Sequence, residues 1–315
     1  MDGPNSTWEA NDIYDAYGVR SKSGPGPMST RYVKFINKVA KIIGKKYPGK
    51  YLSFYAYGST VAPPRDKGWT LEPNILIEYA FGDGLCLCHG ETNPDCPPNA
   101  AMHEWLKGWS SSGNTIIFYD YPPNGGKFDI PSGFTRRYES LIAYTQKMGV
   151  TGWAGEGQGS WAGSGMWDYL KARLLWDISS DVDAVITEFC RDLYGPAASP
   201  MQEYYNFFDS ELQKLPDHPV WGAWAFSLKQ ETVNKLSDLL VEAENKADTQ
   251  QFSRNVAMMR VALNSLELVR LAEQLKKQSS PDLTERYSKL RTKTYALTEQ
   301  YKVPVTDRWL DQLAR

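Results

Sequence analysis

The stretch Gly149-Val150-Thr151-Gly152-Trp153-Ala154-Gly155-Glu156-Gly157-Gln158-Gly159-Ser160-Trp161-Ala162-Gly163-Ser164-Gly165 runs a short apolar segment into one carboxylate and then into a loop of glycines. Its length and flanking residues read as a strand ending near Glu156. The apolar pattern from Met166 to Trp176 reads as the helix that follows. Glycine lets a ligand come close to the main chain, so Glu156 is placed at a strand mouth with Trp153 and Trp161 beside it. A carboxylate between aromatic surfaces suits a sugar, which offers hydroxyls at its rim and C–H groups on its faces. An ordinary strand-to-helix turn with a solvated glutamate is the plain alternative.

The same arrangement recurs upstream. Tyr51 to Gly58, Asn74 to Gly82 and Asn114 to Tyr121 are short apolar or aromatic runs of strand length. Helical patterns lie around them: Val33, Ile36, Val39, Ile42 and Ile43 after a Ser29 or Thr30 cap, then Ala100 to Trp109, then Arg136 to Met148. Short strands alternating with helices predict an α/β fold with a parallel sheet. No strand leads into a dinucleotide Gly-x-Gly-x-x-Gly turn or a phosphate-binding Gly-x-x-x-x-Gly-Lys loop. Each strand instead ends in a polar or aromatic tip, which is where (β/α)8 barrels gather their chemistry. Four strand–helix units are half of such a barrel, so the prediction is the C-terminal half of a TIM-like barrel with the first half before Met1.

After Asp177 the pattern is helical. Val233, Leu236, Leu240 and Ala243 form one stripe, and Val256, Met259, Leu263, Leu266 and Val269 form another. These are packing faces, so the expected division is a partial barrel over 1–179 and an α-helical domain over 180–315.

Lys and Arg number 35 against 37 Asp and Glu, a net charge of −2, which argues against a nucleic-acid partner. No apolar run reaches about 18 residues, so no membrane span is expected. Met1 to Thr7 lacks the basic-then-apolar order of a signal peptide. The 11 Trp and 19 Tyr are a supply of sugar-contact surfaces. Cys86, Cys88, His89 and Cys96 have the ligand types of a zinc site, but the Cys86–Cys88 gap is tighter than usual. A disulfide from Cys96 to Cys86 or Cys88, or reduced thiols, are alternatives, and no metal or cofactor is expected. Cys190 sits in a helical pattern and reads as a core residue.

Several pieces carry a family likeness. They are Asn37-x-Val39-Ala40, Tyr47-Pro48 before Ala56-Tyr57, Pro63-Pro64 before Pro73-Asn74, then His89, Cys96, Asn99, Trp109 and Tyr119-Asp120-Tyr121. The longest is Tyr169-Leu-x-Ala-x-Leu-Leu-Trp176-Asp177, with Asp181-Val-Asp183, Glu188-Phe-Cys190, Tyr194-Gly-Pro-Ala-Ala198 and Tyr204-Tyr205. Through these the sequence resembles the domain of unknown function 4838 family. The resemblance implies a glycoside hydrolase on a (β/α)8 barrel, with an extracytoplasmic location. Some relatives belong to glycoside hydrolase family 163, which acts as endo-β-N-acetylglucosaminidases on complex N-glycans. Of the family's Asn-Asp-Gly turn only Asp2-Gly3 is present, and Trp8 to Tyr14 lacks its cysteine cluster.

Glycoside hydrolysis calls for a carboxyl that protonates the leaving group and a second group, a carboxylate or the substrate's own acetamido, that supports the sugar. Asp2, Asp120 and Glu156 are the candidates at the mouth. Glu156 is expected as the acid or its partner, aided by burial beside Trp153, and Asp120 as the orienting group. Tyr57, Glu78, His89, Tyr121, Trp153 and Trp161 are the candidate carbohydrate-binding residues. A non-catalytic glycan-binding or scaffold protein is the alternative, and a lyase or epimerase a third. Phe54, Ile75, Ile77, Ile116 and Phe118 are expected on the inner barrel face, where half a barrel leaves them in solvent. Self-association through the open sheet edges and little activity in the chain alone follow from that expectation.

Overall fold

The computed structural model describes residues 26–80, 85–86, 88–121, 130–156, 161–215, 224–278 and 280–303. Asp2 lies outside them. Two compact units divide the chain, one of residues 1–121 and 141–156, the other of residues 122–140 and 157–315.

The first unit opens with helix α1 (Gly26–Lys46), three residues ahead of the expected cap. Ser29 does not cap it; its buried hydroxyl donates to the Ala62 carbonyl. The buried face of α1 is Val33, Ile36 and Ala40, and Ile42 points to solvent. Strands β1 (Leu52–Ala56), β2 (Ile75–Tyr79), β3 (Thr115–Asp120) and β4 (Val150–Gly155) form a parallel sheet in the order β1-β2-β3-β4. Helix α2 (Pro97–Ser110) connects β2 to β3, and α3 (Arg137–Lys147) precedes β4. Between β1 and β2 the chain makes a 3-10 turn at Gly58–Thr60 and then a partly buried loop. The expected α/β architecture of consecutive parallel strands is therefore present, and a helical region follows it.

One face of the sheet holds Phe54, Ile75, Ile77, Tyr79, Ile116 and Phe118, all almost fully buried. Phe54 packs between Tyr32 of α1 and Trp109 of α2, with ring centroids 5.4 and 5.6 Å away. The Tyr79 hydroxyl donates to the Met102 carbonyl of α2. This corrects the sequence reading, which turned Phe54, Ile75, Ile77, Ile116 and Phe118 inward to solvent. Period-two alternation separates two faces but does not say which of them the helices cover. Asparagines tie the other end of the sheet: Asn37 bonds Thr70 and Glu72, and Asn114 bonds the carbonyls of Glu72 and Ile75.

Strand β4 carries an irregularity that decides where its side chains go. Ile116 pairs with Val150 but Ile117 pairs with Gly152, leaving Thr151 as an extra residue. A bulge of this kind re-aims every side chain beyond it. Val150 is on the helix-covered face, so unbroken alternation would put Gly152, Ala154 and Glu156 there too. With Thr151 inserted, Trp153 takes that face and packs tilted against Phe118 at 4.7 Å, and Glu156 is carried to the other. The Thr151 hydroxyl donates to the Ile116 carbonyl at the bulge.

The second unit is helical among its described residues: α4 (Trp161–Trp176), α5 (Val182–Tyr194), α6 (Ala198–Leu212), α7 (Trp224–Ser227), α8 (Gln230–Lys246), α9 (Gln250–Lys277) and α10 (Pro281–Tyr301). Asp181, Thr249 and Ser280 cap α5, α9 and α10 with their side chains, as their residue types favour. Helix α9 is buried almost all round from Val256 to Leu271, the pattern of a central helix. Its buried charges are satisfied: Arg270 donates to the carbonyls of Ala225 and Leu228, and Arg260 pairs with Glu244 at 2.7 Å. Gly195, between α5 and α6, has φ 52° and no room for a side chain against Phe252. Only glycine meets both demands.

Asp209 of α6 is buried and accepts the backbone N–H groups of Thr135 and Arg136 at 3.1 and 2.9 Å. Phe134 beside them has φ 62° and is buried. Consecutive N–H groups next to a left-handed residue make an anion-holding nest. Burial nevertheless dominates and pushes the Asp209 carboxyl up to about 6, against the pull of those N–H groups. The ordinary value is about 3.9. A folded value above the unfolded one means that the folded state binds the extra proton. The resulting stability is full below the unfolded value and is lost as pH rises through the folded one. We predict that unfolding free energy, wild type minus Asp209→Asn, falls by up to about 3 kcal/mol between pH 4 and pH 7. Denaturant unfolding at a series of pH values measures it, and parallel profiles would contradict the assignment.

Candidate functional site on the open face of the sheet

Opposite the helix-covered face, β1 and β3 present Tyr55 and Tyr119, with Tyr57 and Tyr121 just past their ends, and β2 presents Glu78. Tyr55 is 45% exposed, and the others are half-buried. The Tyr55 hydroxyl donates to the Glu78 carboxylate, its partner in register on the next strand. Strands two apart in a sheet are separated by roughly 9.5 Å. Yet the Tyr55 and Tyr119 rings meet edge to face at 5.4 Å. Their side chains lean together across β2 and bracket Glu78. Further along, Tyr57 and Tyr121 stack at 6.4 Å, and Tyr121 meets Tyr119 at 5.3 Å. Glu156 stands exposed where β4 ends, its N–H donating to the Asp120 carbonyl at 3.2 Å.

The small residues of β4 make this surface possible. A side chain at Gly152 would strike Ile117, and one at Gly155 would strike the Asp120 backbone. The 3-10 turn after β1 is pinned by Thr60, whose hydroxyl donates to the carbonyls of Tyr55 and Tyr57. Negative charge gathers here. The phenol of Tyr55 is held above the ordinary tyrosine value by its hydrogen bond to Glu78, followed by burial. That of Tyr119 is raised by burial, then by the charges of Glu156 and Glu78. Tyr119 is thus within electrostatic range of both carboxylates.

The structure brings together Tyr57, Glu78, Tyr121 and Glu156 among the candidates named from sequence. Asp120 and Trp153 are not with them. Asp120 is 4% exposed and lies with Ile116 and Phe118 on the helix-covered face. The expected role of Asp120 as the orienting group at the mouth with Glu156 is therefore corrected: the bulge at Thr151 puts the two on opposite faces. Trp153 is on the Asp120 side, packed against Phe118, and does not flank Glu156. His89 lies in the loop after β2 with Nδ1 3.1 Å from Cys86 Sγ. Asp2 and the side chain of Trp161 are outside the described residues. Sequence reading missed Tyr55 and Tyr119, although their phase relative to Glu78 would have found them.

None of the four cysteines is disulfide-bonded. Cys190 is buried in α5, where burial pushes its thiol up to about 12, the state of an inert core residue. No described helix is long and apolar enough to cross a membrane.

The two raised phenols supply a direct test of the geometry. Glu78→Gln should lower the ionisation points of both Tyr55 and Tyr119, whereas Glu156→Gln should lower that of Tyr119 alone. Tyrosine ring resonances followed through alkaline pH read each one. Unchanged titration of Tyr119 in both variants would place the carboxylates elsewhere.

The structural signature residues also show what they do. Tyr169, Arg173 and Glu188 form one hydrogen-bonded group between α4 and α5. Phe189 packs on Tyr169, Tyr194 and Tyr205, and the Tyr194 and Tyr205 hydroxyls bond at 2.8 Å. The family model described as domain of unknown function (DUF4838) matches residues 14–206, well over half of the 315-residue chain. No curated protein and no solved structure matches it. The strand tips and the α4–α6 packing core both fall within the matched span, and the chain belongs to the DUF4838 family.

Proposed function

We propose that this protein acts on glycans as a glycoside hydrolase-type enzyme of the endo-β-N-acetylglucosaminidase kind. The observation that carries the reading is the open sheet face, where Tyr55 and Tyr119 bracket Glu78, Tyr57 and Tyr121 stack beyond them, and Glu156 stands at the strand end. Tyrosine rings offer flat surfaces to the C–H faces of a pyranose, and their hydroxyls with the carboxylates bond its rim. The surface also lies at the C-terminal ends of consecutive parallel strands, where barrel enzymes place chemistry.

In this reading Glu156, the exposed carboxyl at the mouth, protonates the glycosidic oxygen as the bond breaks. Glu78 is fixed by Tyr55 and orients the sugar. The attacking group is then either the substrate's own acetamido oxygen or a second carboxylate. Glu78 is level with Gly152, two strands across, and Glu156 is four residues further on. That puts their backbones about 16 Å apart, a span that the two glutamate side chains shorten by several ångströms towards the roughly 5–10 Å between the carboxyl groups of two-carboxylate glycosidases. Glu156 stands exposed rather than buried beside Trp153, and this favours a second reading, a glycan-binding protein without turnover.

Calorimetric titration with β-linked N-acetylglucosamine oligosaccharides should show saturable binding that Tyr119→Ala abolishes. Incubation with a glycoprotein bearing complex N-glycans should release glycan, leaving one N-acetylglucosamine on the protein. Glu156→Gln should slow release by about 100-fold or more while leaving binding intact. Binding without release supports the second reading, and no binding to any such glycan would reject both.

A further inference from the structure

Among the described residues, the Cys86 and Cys96 thiols and the His89 imidazole converge, with their ligand atoms all within 4.8 Å of one another. We propose that Cys86, His89 and Cys96 form a zinc-binding site, a Cys2His set with one position left for water or an external ligand. The reading is independent of the glycan proposal. The spacing objection raised by the sequence applied to Cys86 with Cys88. The structure pairs Cys86 with His89 instead, two residues intervening, which is an ordinary metal-ligand gap. Cys88, the more accessible thiol, is not in the cluster.

The cluster is built rather than accidental. Asn99, fully buried in the first turn of α2, organises the loop that carries two of the ligands. Its Oδ1 accepts the Cys86 N–H at 3.0 Å, and its Nδ2 donates to the carbonyls of Cys86, His89 and Gly90 at 2.9, 2.9 and 3.0 Å. Cys96 is fixed independently as the N-cap residue of α2, its N–H donating to Asn93 at 3.2 Å. One asparagine and one helix start therefore hold all three ligands. Both cysteines are completely buried and the histidine is half-buried, which leaves access to the ion from the His89 side.

The distances suit an ion. Tetrahedral zinc at ordinary bond lengths sets its ligands about 3.6–3.8 Å apart. The 3.1 Å Cys86–His89 contact and the 4.8 Å bound bracket that range. Two thiolates and a neutral imidazole balance the charge of a divalent ion, so a low-dielectric pocket can hold the complex. Bound there, zinc would tie Cys86 and His89 to Cys96 at the start of α2.

The test uses the full chain, purified under reducing conditions without chelator. Elemental analysis should find about one zinc per chain. Cobalt substituted for it should give the intense visible bands of a tetrahedral site and thiolate-to-cobalt charge-transfer absorption in the near ultraviolet. The Cys86→Ser and Cys96→Ser variants should lose both signals, and Cys88→Ser should keep them. Asn99→Ala should weaken affinity by about 10–100-fold, as expected for a residue that positions ligands, read by competition with a chromophoric chelator. Should the serine variants fail to fold, stripping and reloading the wild-type chain gives the same answer through the cobalt spectrum. No retained zinc and no thiolate–cobalt band in the reduced wild-type chain would overturn the proposal. So would metal binding that survives loss of both Cys86 and Cys96.

Discussion

The surface of this protein depends on the face to which each strand turns its side chains, and one extra residue sets that for β4. A strand offers alternate positions to opposite faces, so inserting Thr151 against β3 reverses everything after it. Trp153 is thereby sent to the helix-covered face and Glu156 to the face that carries Glu78 and the tyrosines. The hydrogen bond from Thr151 to the Ile116 carbonyl helps to hold the register where the ladder is broken. Gly152 and Gly155 follow from the same constraint, since Ile117 and the Asp120 backbone occupy the space a side chain would need.

The residues that mark the family divide between two jobs. Asn37 and Asn74 bond backbone at the N-terminal end of the sheet, and Trp109 fills its covered face. The long run from Tyr169 to Tyr205 is a packing core of aromatic rings and one Tyr–Arg–Glu hydrogen-bonded group. Only Tyr57 and the Tyr119–Tyr121 strand tip put marked side chains on the open face, and Asn99 with His89 and Cys96 builds the thiol cluster. Most of the recognisable sequence thus encodes a scaffold, and the chemistry rests on few positions.

The architecture was legible because it depends on period and punctuation. Tyr47-Pro48-Gly49 ended α1 where expected, and the stripes from Val233 and Val256 became the buried faces of α8 and α9. The start of α1 was less legible, because the Ser29 hydroxyl donates to the Ala62 carbonyl instead of accepting from N–H groups at a helix start. At the site, Glu156 was visible as a strand-end carboxylate. Its partner was misread as Asp120, since a bulge leaves no mark in hydrophobic alternation. The inner and outer faces were exchanged for a related reason: Ile75 and Ile77 are as apolar as a barrel interior requires, and only the packing of α1 and α2 decides which side they fill. The nest around Asp209 had no sequence signal, because it joins residues more than seventy positions apart.

Hydroxyl-radical footprinting of the native chain, read by mass spectrometry, measures directly which face of the sheet meets solvent. The account predicts oxidation at Tyr55, Tyr119 and Tyr121, with Phe54, Tyr79 and Phe118 protected until the chain unfolds. Oxidation of Phe54 and Phe118 with protection of Tyr55 and Tyr119 would show the opposite face exposed and would remove the site described above.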